Sequence, residues 1–211
     1  MSEPGILYVI SAPSGTGKTT LVKALVEAIP GITVSISHTT RKKRPAEMHG
    51  INYYFTEANE FQAMIDHHDF LEHATVFGNS YGTSKRWVEE TLTRGQDVIL
   101  EIDWQGAQQI QHLYPNSISV FILPPSVSDL YERLIKRNQD NIDIIKQRIK
   151  DVRESTNHVL DYDYVVINDD FSAALDDLKT VVLSGRLIQR RQCIKFSTLI
   201  KQLATAKVDE F

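Results

Sequence analysis

A glycine-rich loop near the start of the chain carries the residues best suited to chemistry. The run before it, Ile6 to Ile10, is apolar and β-branched, which is typical of a buried parallel strand. The loop contains Gly15 and Gly17, which allow backbone N–H groups to turn towards an anion. An amphipathic helix is expected from Lys18 onwards, so its N-terminal partial positive charge adds to the same site. This order of strand, loop and helix predicts a binding site for a nucleoside triphosphate.

Two side chains at the end of this loop match the chemistry of a bound triphosphate. Lys18 can reach the β- and γ-phosphates, and the Thr19 hydroxyl can hold Mg²⁺. The strict pattern has glycine where this chain has Ala12, but the residues that follow still supply the turn. The alternative is a glycine-rich connection that binds nothing. The expected triphosphate-binding loop consists of Ala12, Pro13, Ser14, Gly15, Thr16, Gly17, Lys18 and Thr19.

Composition limits the class of protein. The chain has 211 residues, 42% of them hydrophobic and 24% charged, as in ordinary globular proteins. A formal net charge of −4 argues against a broad nucleic-acid-binding surface, so no nucleic-acid partner is expected. The single cysteine, Cys193, suits a reducing compartment. We find neither a signal-peptide pattern nor a run of ~20 apolar residues, and therefore expect a cytoplasmic protein without a membrane partner.

The apolar runs predict the fold class. Four runs after the loop have strand character, and helical patterns separate most of them. They are Thr33 to Ile36, Val98 to Ile102, Ile118 to Leu123 and Tyr164 to Ile167. Together with the first run they predict an α/β fold, with a parallel five-stranded sheet and helices on both faces. Ser126 and Ser172 are the expected N-caps of two later helices.

Two stretches interrupt this alternation and are interpreted as inserts in one core. Residues 37–89 are rich in Thr, Tyr, Phe and Gly, and suggest a small, partly β insert with a helix near Glu60 to His67. Residues 137–157 are polar and suggest a helical lid. The core then comprises residues 1–36, 90–136 and 158–211. Because ligands in such folds bind beyond the carboxyl ends of the strands, both inserts should flank the site.

The first insert begins with a cluster of cationic side chains. Arg41 and Arg44 are three residues apart, and Tyr53 and Tyr81 follow along the chain. Two guanidinium groups and two phenol hydroxyls could surround a phosphate monoester from several sides. A solvated charged face or a localisation-type basic patch is the alternative.

Six motifs, in a fixed order, give this chain a specific resemblance. They are SAPSGTGKT, SHTTRxxRP, GxxYxF, FLE, YGT and LEIDWQG, and the match around them runs from about Ile6 to Asp169. In this order they resemble guanylate kinase in its bacterial form. The resemblance implies a P-loop kinase fold in which residues 37–89 form the GMP-binding insert and residues 137–157 the lid. It also implies ATP and GMP as substrates, with Mg²⁺ accompanying ATP.

The resemblance further implies which residues bind GMP. Arg41, Arg44, Tyr53 and Tyr81 correspond to the residues that hold its phosphate. Ser37, Glu72 and Thr83 correspond to those that read the guanine ring. The chemistry is consistent, because guanine presents an N1–H and an N2 amino group side by side and a carboxylate can accept from both. Without the resemblance, Glu72 would be interpreted as a surface carboxylate.

Two acids at the end of a predicted strand complete the expected GMP site. Glu101 and Asp103 are separated by one residue, so one of them should face the nucleotides. A carboxylate there can bind Mg²⁺ through water or orient an arginine. Asp103 could instead cap the next helix. By resemblance, both acids are assigned to the active site.

The remaining expected site residues lie in the second half of the chain. Arg137 and Arg148 resemble the family's lid arginines, and Arg133 is a third candidate for ATP binding. Asn168 corresponds to a corner near the adenine of ATP. Solvated helix charge and a plain turn are the alternatives from the residues alone. The expected catalytic residues are Lys18, Arg41, Asp103, Arg137 and Arg148.

The sequence therefore predicts ATP-dependent phosphorylation of GMP to GDP by in-line phosphoryl transfer with Mg²⁺. A non-catalytic guanylate-kinase-like module that binds phosphoproteins is the alternative, but such a module could discard Lys18 and Thr19, which this chain retains. A kinase for another mononucleotide is a third hypothesis, against which Glu72 and Thr83 argue. The mixed basic and apolar stretch Arg186 to Phe211 leaves association of identical chains open.

Overall fold

The protein is described by a computed structural model that covers residues 3–136 and 152–206. Nine strands occur in these ranges: β1 (Leu7–Ser11), β2 (Ile32–Val34), β3 (His38–Thr39), β4 (Tyr54–Phe55), β5 (Phe70–Val76), β6 (Asn79–Ser84), β7 (Asp97–Glu101), β8 (Ile118–Leu123) and β9 (Tyr164–Ile167). Eight helices accompany them: α1 (Lys18–Ala28), α2 (Ala58–Asp66), α3 (Lys85–Thr93), α4 (Trp104–Leu113), α5 (Val127–Lys136), α6 (Phe171–Arg186), α7 (Gln189–Lys195) and α8 (Ser197–Thr205). A 3₁₀ turn spans Val159–Asp161, and residues 152–157 are helical.

The central sheet confirms the predicted fold class. Its five strands run parallel in the order β2-β7-β1-β8-β9, so β1 is the middle strand. Alternate residues of β1 serve two apolar clusters. Tyr8 and Ile10 pack with α1 and α6 on one face, whereas Leu7 and Val9 pack with α3 and α4 on the other. Every residue of β1 is buried as a result.

The predicted strands agree closely with the observed ones. β8 and β9 have the predicted bounds, and β1 and β7 are displaced by one residue. β2 ends at Val34 instead of Ile36, because beyond Ser35, whose N–H still bonds to Ile99, the chain leaves the sheet for the insert.

One of the two predicted helix caps is correct. Ser126 Oγ accepts from the N–H of Asp129 at 3.0 Å, as a cap of α5 should. The prediction for Ser172 is wrong, because α6 begins earlier and is capped by Asp170. The Asp170 carboxylate accepts from the N–H of Ala173 at 2.9 Å, which places Ser172 inside the first turn.

Residues of the first insert form a second sheet, in the order β4-β3-β6-β5. The β5–β6 hairpin is antiparallel, and β3 pairs antiparallel with β6 but parallel with β4. The helix expected near Glu60 to His67 corresponds to α2. Helix α3 crosses the expected boundary between residues 89 and 90 and packs Val88 and Leu92 on the core. The proposed domain limits stay predictions.

Most of the expected lid, including Arg137 and Arg148, falls at residues 137–151, outside the described residues. Where the description resumes, His158 stacks on Trp104 with ring centroids 3.9 Å apart and an interplanar angle of 7°. This contact joins the residue that follows the second insert to the first turn of α4. Within residues 3–136 and 152–206, no helix is both long and apolar enough to span a membrane.

Candidate active site

The glycine-rich loop leaves β1 at the carboxyl edge of the central sheet and leads directly into α1. Gly15 and Gly17 have φ values of 94° and 93°, a region that side chains with a Cβ rarely adopt. Gly17 is the N-cap of α1, and no side chain caps the helix. The first-turn amides of α1 therefore point towards the site with the positive end of the helix dipole, an arrangement suited to phosphate.

Two of the expected ATP-binding residues, Asn168 and Arg133, donate hydrogen bonds to the backbone of this loop. Asn168 Nδ2 donates to the Thr16 carbonyl at 2.6 Å, and Arg133 donates to the same carbonyl at 3.3 Å. Arg133 also donates to the Asn168 carbonyl at 3.1 Å. A Cβ on Gly17 would lie 2.6 Å from Asn168 Nδ2, so glycine permits this close approach. In this structure both side chains position the loop backbone.

Lys18 and Thr19, on the first turn of α1, meet the acid at the end of β7. Thr19 Oγ1 donates to Glu101 Oε2 at 3.0 Å, and Lys18 Nζ lies 3.9 Å from the same oxygen. Burial lowers the pKa of Lys18, while Glu101 and Asp103 oppose that shift. The lysine is thus held beside carboxylates in a partly dry site, where a second anion would interact strongly with it.

Asp103 has two roles in this geometry. Its Oδ1 accepts from the N–H of Gly106 at 3.0 Å, so it does cap α4, as the alternative interpretation required. It also lies within electrostatic range of Lys18 on one side and of Glu72 on the other. Burial raises the pKa of Asp103, and the cap and Lys18 oppose that shift.

Glu72 is buried inside the insert, against the expectation from the residues alone. It lies on β5 opposite Thr83 of β6, is 3% exposed, and accepts from Thr83 Oγ1 at 2.5 Å. Burial raises the pKa of Glu72 to about 7, although the Thr83 hydrogen bond acts against this, and the nearby Asp103 adds to it. Strand β6 lies between β3 and β5. Because His38 of β3 pairs with Gly82, the register places Ser37 beside Thr83, on the side opposite to Glu72. Ser37, Glu72 and Thr83 are therefore neighbours.

The expected phosphate-binding residues lie along the same sheet. The Arg41 guanidinium is 5.3 Å from the centre of the Tyr53 ring, which lies 5.9 Å from the Tyr81 ring. Burial raises the pKa of Tyr53 to about 12, so the phenol keeps its proton and can donate. Arg44 is exposed and makes no side-chain bond to these residues within the described part of the chain.

Glu47 is a site residue that sequence reasoning missed. Its Oε1 accepts from Arg41 Nη2 at 2.7 Å, and its Oε2 accepts from the N–H of Arg44 at 2.9 Å. One carboxylate thus fixes both the Arg41 fork and the backbone that carries Arg44. The only signal in the sequence was an acid three residues after Arg44, and this spacing is also common among solvent-exposed residues without a role in a site.

The described residues from both expected pockets meet at the carboxyl ends of β1 and β7. The loop and α1 form one side, and the insert with Arg41, Tyr53 and Glu72 forms the other. Glu101 and Asp103 both lie close to Lys18 between these two sides, and their roles in the site stay predictions. The arrangement offers a triphosphate grip beside a pocket with a buried carboxylate and a cation.

The chain is similar to known proteins of one family. The sequence model of the family described as Guanylate kinase matches residues 5–184. The guanylate kinase of Pseudomonas fluorescens (strain Pf0-1) is 52% identical over 199 residues, which are 94% of this chain and 97% of that protein. The guanylate kinase of Saccharophagus degradans is 49% identical over 203 residues, 96% of this chain and 99% of that one.

Among solved structures, the guanylate kinase from Anaplasma phagocytophilum matches with a TM-score of 0.75 and 31% identity, covering 90% of this chain and 91% of that chain. The agreement extends over the core and over the segment that carries the buried carboxylate. This chain belongs to the guanylate kinase family and has its P-loop kinase fold.

Proposed function

We propose that this protein transfers the γ-phosphoryl group of ATP to the phosphate of GMP, giving ADP and GDP. One observation carries the proposal: the two acids at and just after the end of β7 lie within electrostatic range of residues in both pockets. Glu101 lies beside Lys18 and within electrostatic range of Tyr53, and Asp103 lies within range of Lys18 and Glu72. The two phosphate groups would therefore meet in one place.

The loop between β1 and α1 is the proposed site for the ATP phosphates. Backbone amides at the start of α1 and the Lys18 ammonium would bind the phosphate oxygens. Asn168 and Arg133 support this role, because they fix the Thr16 carbonyl and with it the shape of the loop. The adenine position near Asn168 stays a prediction.

The insert is the proposed site for GMP. The Glu72 carboxylate would accept from guanine N1–H and N2–H, and the Thr83 and Ser37 hydroxyls would contact the O6 edge. Adenine lacks the paired donors, so AMP would leave a buried carboxylate unpaired, and polar mispairing of this kind discriminates strongly. Arg41, Tyr53 and Tyr81 would surround the phosphate, with Glu47 holding Arg41 in place.

The residues around Thr19 fit Mg²⁺. The Thr19 hydroxyl and the Glu101 carboxylate are hard oxygen donors 3.0 Å apart, and Mg²⁺ usually takes one or two protein oxygens together with substrate phosphates. When bound, the ion would neutralise charge on the phosphates during transfer.

Positioning and charge stabilisation are the work left to the protein in phosphoryl transfer. Lys18 and Arg41 would bring the two anions together end to end, so that a GMP phosphate oxygen attacks the γ-phosphorus in line. Four further statements stay predictions from the sequence. They are the assignment of Arg137 and Arg148 to the lid, the absence of a nucleic-acid partner, the cytoplasmic location and the association of identical chains.

Two measurements test the proposal. ADP production with ATP and each of GMP, AMP, CMP and UMP should show turnover with GMP at least about 10³-fold above AMP, given the cost of an unpaired buried carboxylate. Equal rates with AMP would contradict it.

Lys18→Ala tests the other pocket. This substitution should lower kcat by about 10²–10³-fold, because it removes a cation from the transferring group. The affinity for GMP alone, measured by calorimetry, should change little. The matched control is Lys179→Ala, which breaks an exposed pair with Asp176 remote from the site. Unchanged turnover in Lys18→Ala would contradict the proposed role of the loop in binding the ATP phosphates.

A further inference from the structure

Gly106, on the first turn of α4, lies against the buried carboxylate of the insert. A Cβ built on Gly106 would contact Glu72 Oε2 at less than van der Waals distance and would lie 3.1 Å from Glu72 Cδ. It would also lie 3.3 Å from Ile102 Cδ1, on the side towards the core. The space that any other residue would fill at this position is therefore occupied by the Glu72 carboxylate.

The local backbone does not require glycine here. Gly106 lies inside a regular helix and is not among the glycines with positive φ. Its N–H caps the helix by donating to Asp103, and alanine would retain this N–H. Alanine also favours helix more than glycine does. Local structure thus favours replacement, so the requirement for glycine comes from the contact with Glu72.

The Glu72 carboxylate can move aside only by losing its present contacts. Glu72 Oε1 is held by Thr83 Oγ1 at 2.5 Å, and the residue is 3% exposed. A methyl group at position 106 would meet the far end of this side chain instead of backbone. The carboxylate would therefore turn away or break its bond to Thr83 while the fold persists.

We propose that Gly106 is a positioning residue for guanine selectivity: its missing side chain lets α4 approach the insert while Glu72 keeps the orientation that reads the base. This inference rests on the proposed function, in which Glu72 binds guanine. Gly106 itself need not touch the nucleotide.

The first test is Gly106→Ala in the full-length protein, with kinetics for GMP, AMP and ATP. A carboxylate displaced by even a fraction of an ångström loses its two-point match to guanine, so the KM for GMP should rise about tenfold or more. The GMP-over-AMP preference should fall by a similar factor, whereas the KM for ATP should stay within about twofold.

The matched control is Gly185→Ala. Gly185 is also inside a helix, and a Cβ there would lie 2.6 Å from the Tyr8 hydroxyl, far from the site. This variant should lower the Tm and leave the GMP-over-AMP preference unchanged. If both variants changed that preference equally, the effect in Gly106→Ala would be a general loss of packing and the inference would fail.

A double-mutant cycle with Glu72→Ala makes the test specific. If Gly106 acts through Glu72, adding Gly106→Ala to Glu72→Ala should change the KM for GMP by less than about twofold. The Tm of the double variant should be higher than that of Glu72→Ala, because the contact with the Glu72 carboxylate is gone and alanine favours helix more than glycine does. Additive losses in the KM, or a further fall in the Tm, would overturn the inference.

The same cycle separates this inference from the proposed function. Unchanged base preference in Glu72→Ala alone would contradict the guanine-reading role of Glu72 and hence the proposed function. A changed preference in Glu72→Ala together with a normal preference in Gly106→Ala would leave the proposed function standing and refute the role of Gly106.

Discussion

The Glu72 carboxylate combines burial with a proposed role, the binding of guanine, that needs its charge. Burial raises its pKa from the ordinary 4.5 to about 7. Between these values the folded state holds a proton that the unfolded chain has lost, so the contribution of this group to stability falls as the pH rises through that window. Guanine, in contrast, donates two N–H groups and is bound best by the ionised form. The site therefore gains affinity for GMP at the pH where the group costs stability.

This conflict predicts a pH dependence of GMP binding. The KM for GMP should fall as the pH rises from about 6 to 8, because each unit below the pKa reduces the ionised fraction of Glu72 about tenfold. The phosphate of GMP titrates at about 6 and adds its own slope. Glu72→Gln should retain the phosphate slope and lose the component near 7. Identical KM profiles in the two proteins would contradict the assignment.

A second prediction at this scale concerns Glu47, which holds Arg41 at 2.7 Å. Glu47→Ala should raise the KM for GMP about tenfold, since a charge-assisted bond that orients the cation is lost. The KM for ATP should change little. Glu90→Ala, which breaks an exposed pair with Arg86, is the matched control and should leave both constants unchanged. Equal effects of the two substitutions would refute the role of Glu47.

Sequence reasoning reached the residues whose roles follow from local motifs and missed those whose roles depend on distant contacts. Gly15, Gly17 and Lys18 are defined by one short stretch between a strand and a helix. Gly106 acts on a side chain 34 positions earlier, and nothing near it in the sequence shows this contact. Glu72 was assigned only through the order of the motifs, because burial of a carboxylate has no local signature.

At the scale of elements, the connection after β9 supports the loop after β1. The two are far apart in sequence but meet because β8 alone separates their strands in the sheet. Asn168 is 6% exposed and donates to the Thr16 carbonyl at 2.6 Å. The phosphate-binding loop is thus held by a neighbouring part of the sheet as well as by its own turn.

Asn168→Ala should therefore affect ATP more than GMP. Loss of the bond leaves the buried Thr16 carbonyl with only the longer contact from Arg133 at 3.3 Å, at a cost of about 0.5–1.5 kcal/mol, and loosens the loop. The KM for ATP should rise several-fold while the KM for GMP stays within about twofold. Asn116→Ala, at an exposed contact with Arg190, is the control. A selective effect on GMP would contradict this arrangement.

The elements themselves were predictable to different degrees. β8 and β9 were located correctly because each is an unbroken apolar run between polar residues. β3 and β4 have two residues each, too few for any periodicity, and exist because the insert aligns them. The predicted N-cap of α6 was wrong because Asp170 and Ser172 are both good N-cap residues. The sequence pattern does not distinguish them, and in the structure the helix begins at Phe171.

At the scale of the whole molecule, Asp97 links the residue before strand β1 to the end of helix α6. It is buried at the start of β7, accepts from the N–H of Ile6 at 2.7 Å, and pairs with Arg186 of α6 at 2.8 Å. Arg186 also donates to the Pro30 carbonyl at 2.9 Å. Strand β1, the turn before β2 and the end of α6 therefore share one polar junction.

Asp97→Ala should lower the free energy of unfolding by about 3 kcal/mol, because it leaves a partly buried guanidinium and an amide without their acceptor. Urea denaturation followed by circular dichroism would measure this. Lys179→Ala, at an exposed ion pair, should cost less than about 0.5 kcal/mol. A loss of similar size in both variants would show that the junction contributes little.

The proposed phosphate-binding loop directly follows β1, the middle strand of the central sheet. This strand has a neighbour on each edge and no exposed residue. We therefore expect the amide protons of β1 to be among the most slowly exchanging in the protein, because their exposure requires the central sheet to open. Heating should accordingly abolish catalysis and β-sheet circular dichroism in a single cooperative transition, because the loop loses its support when the central sheet unfolds.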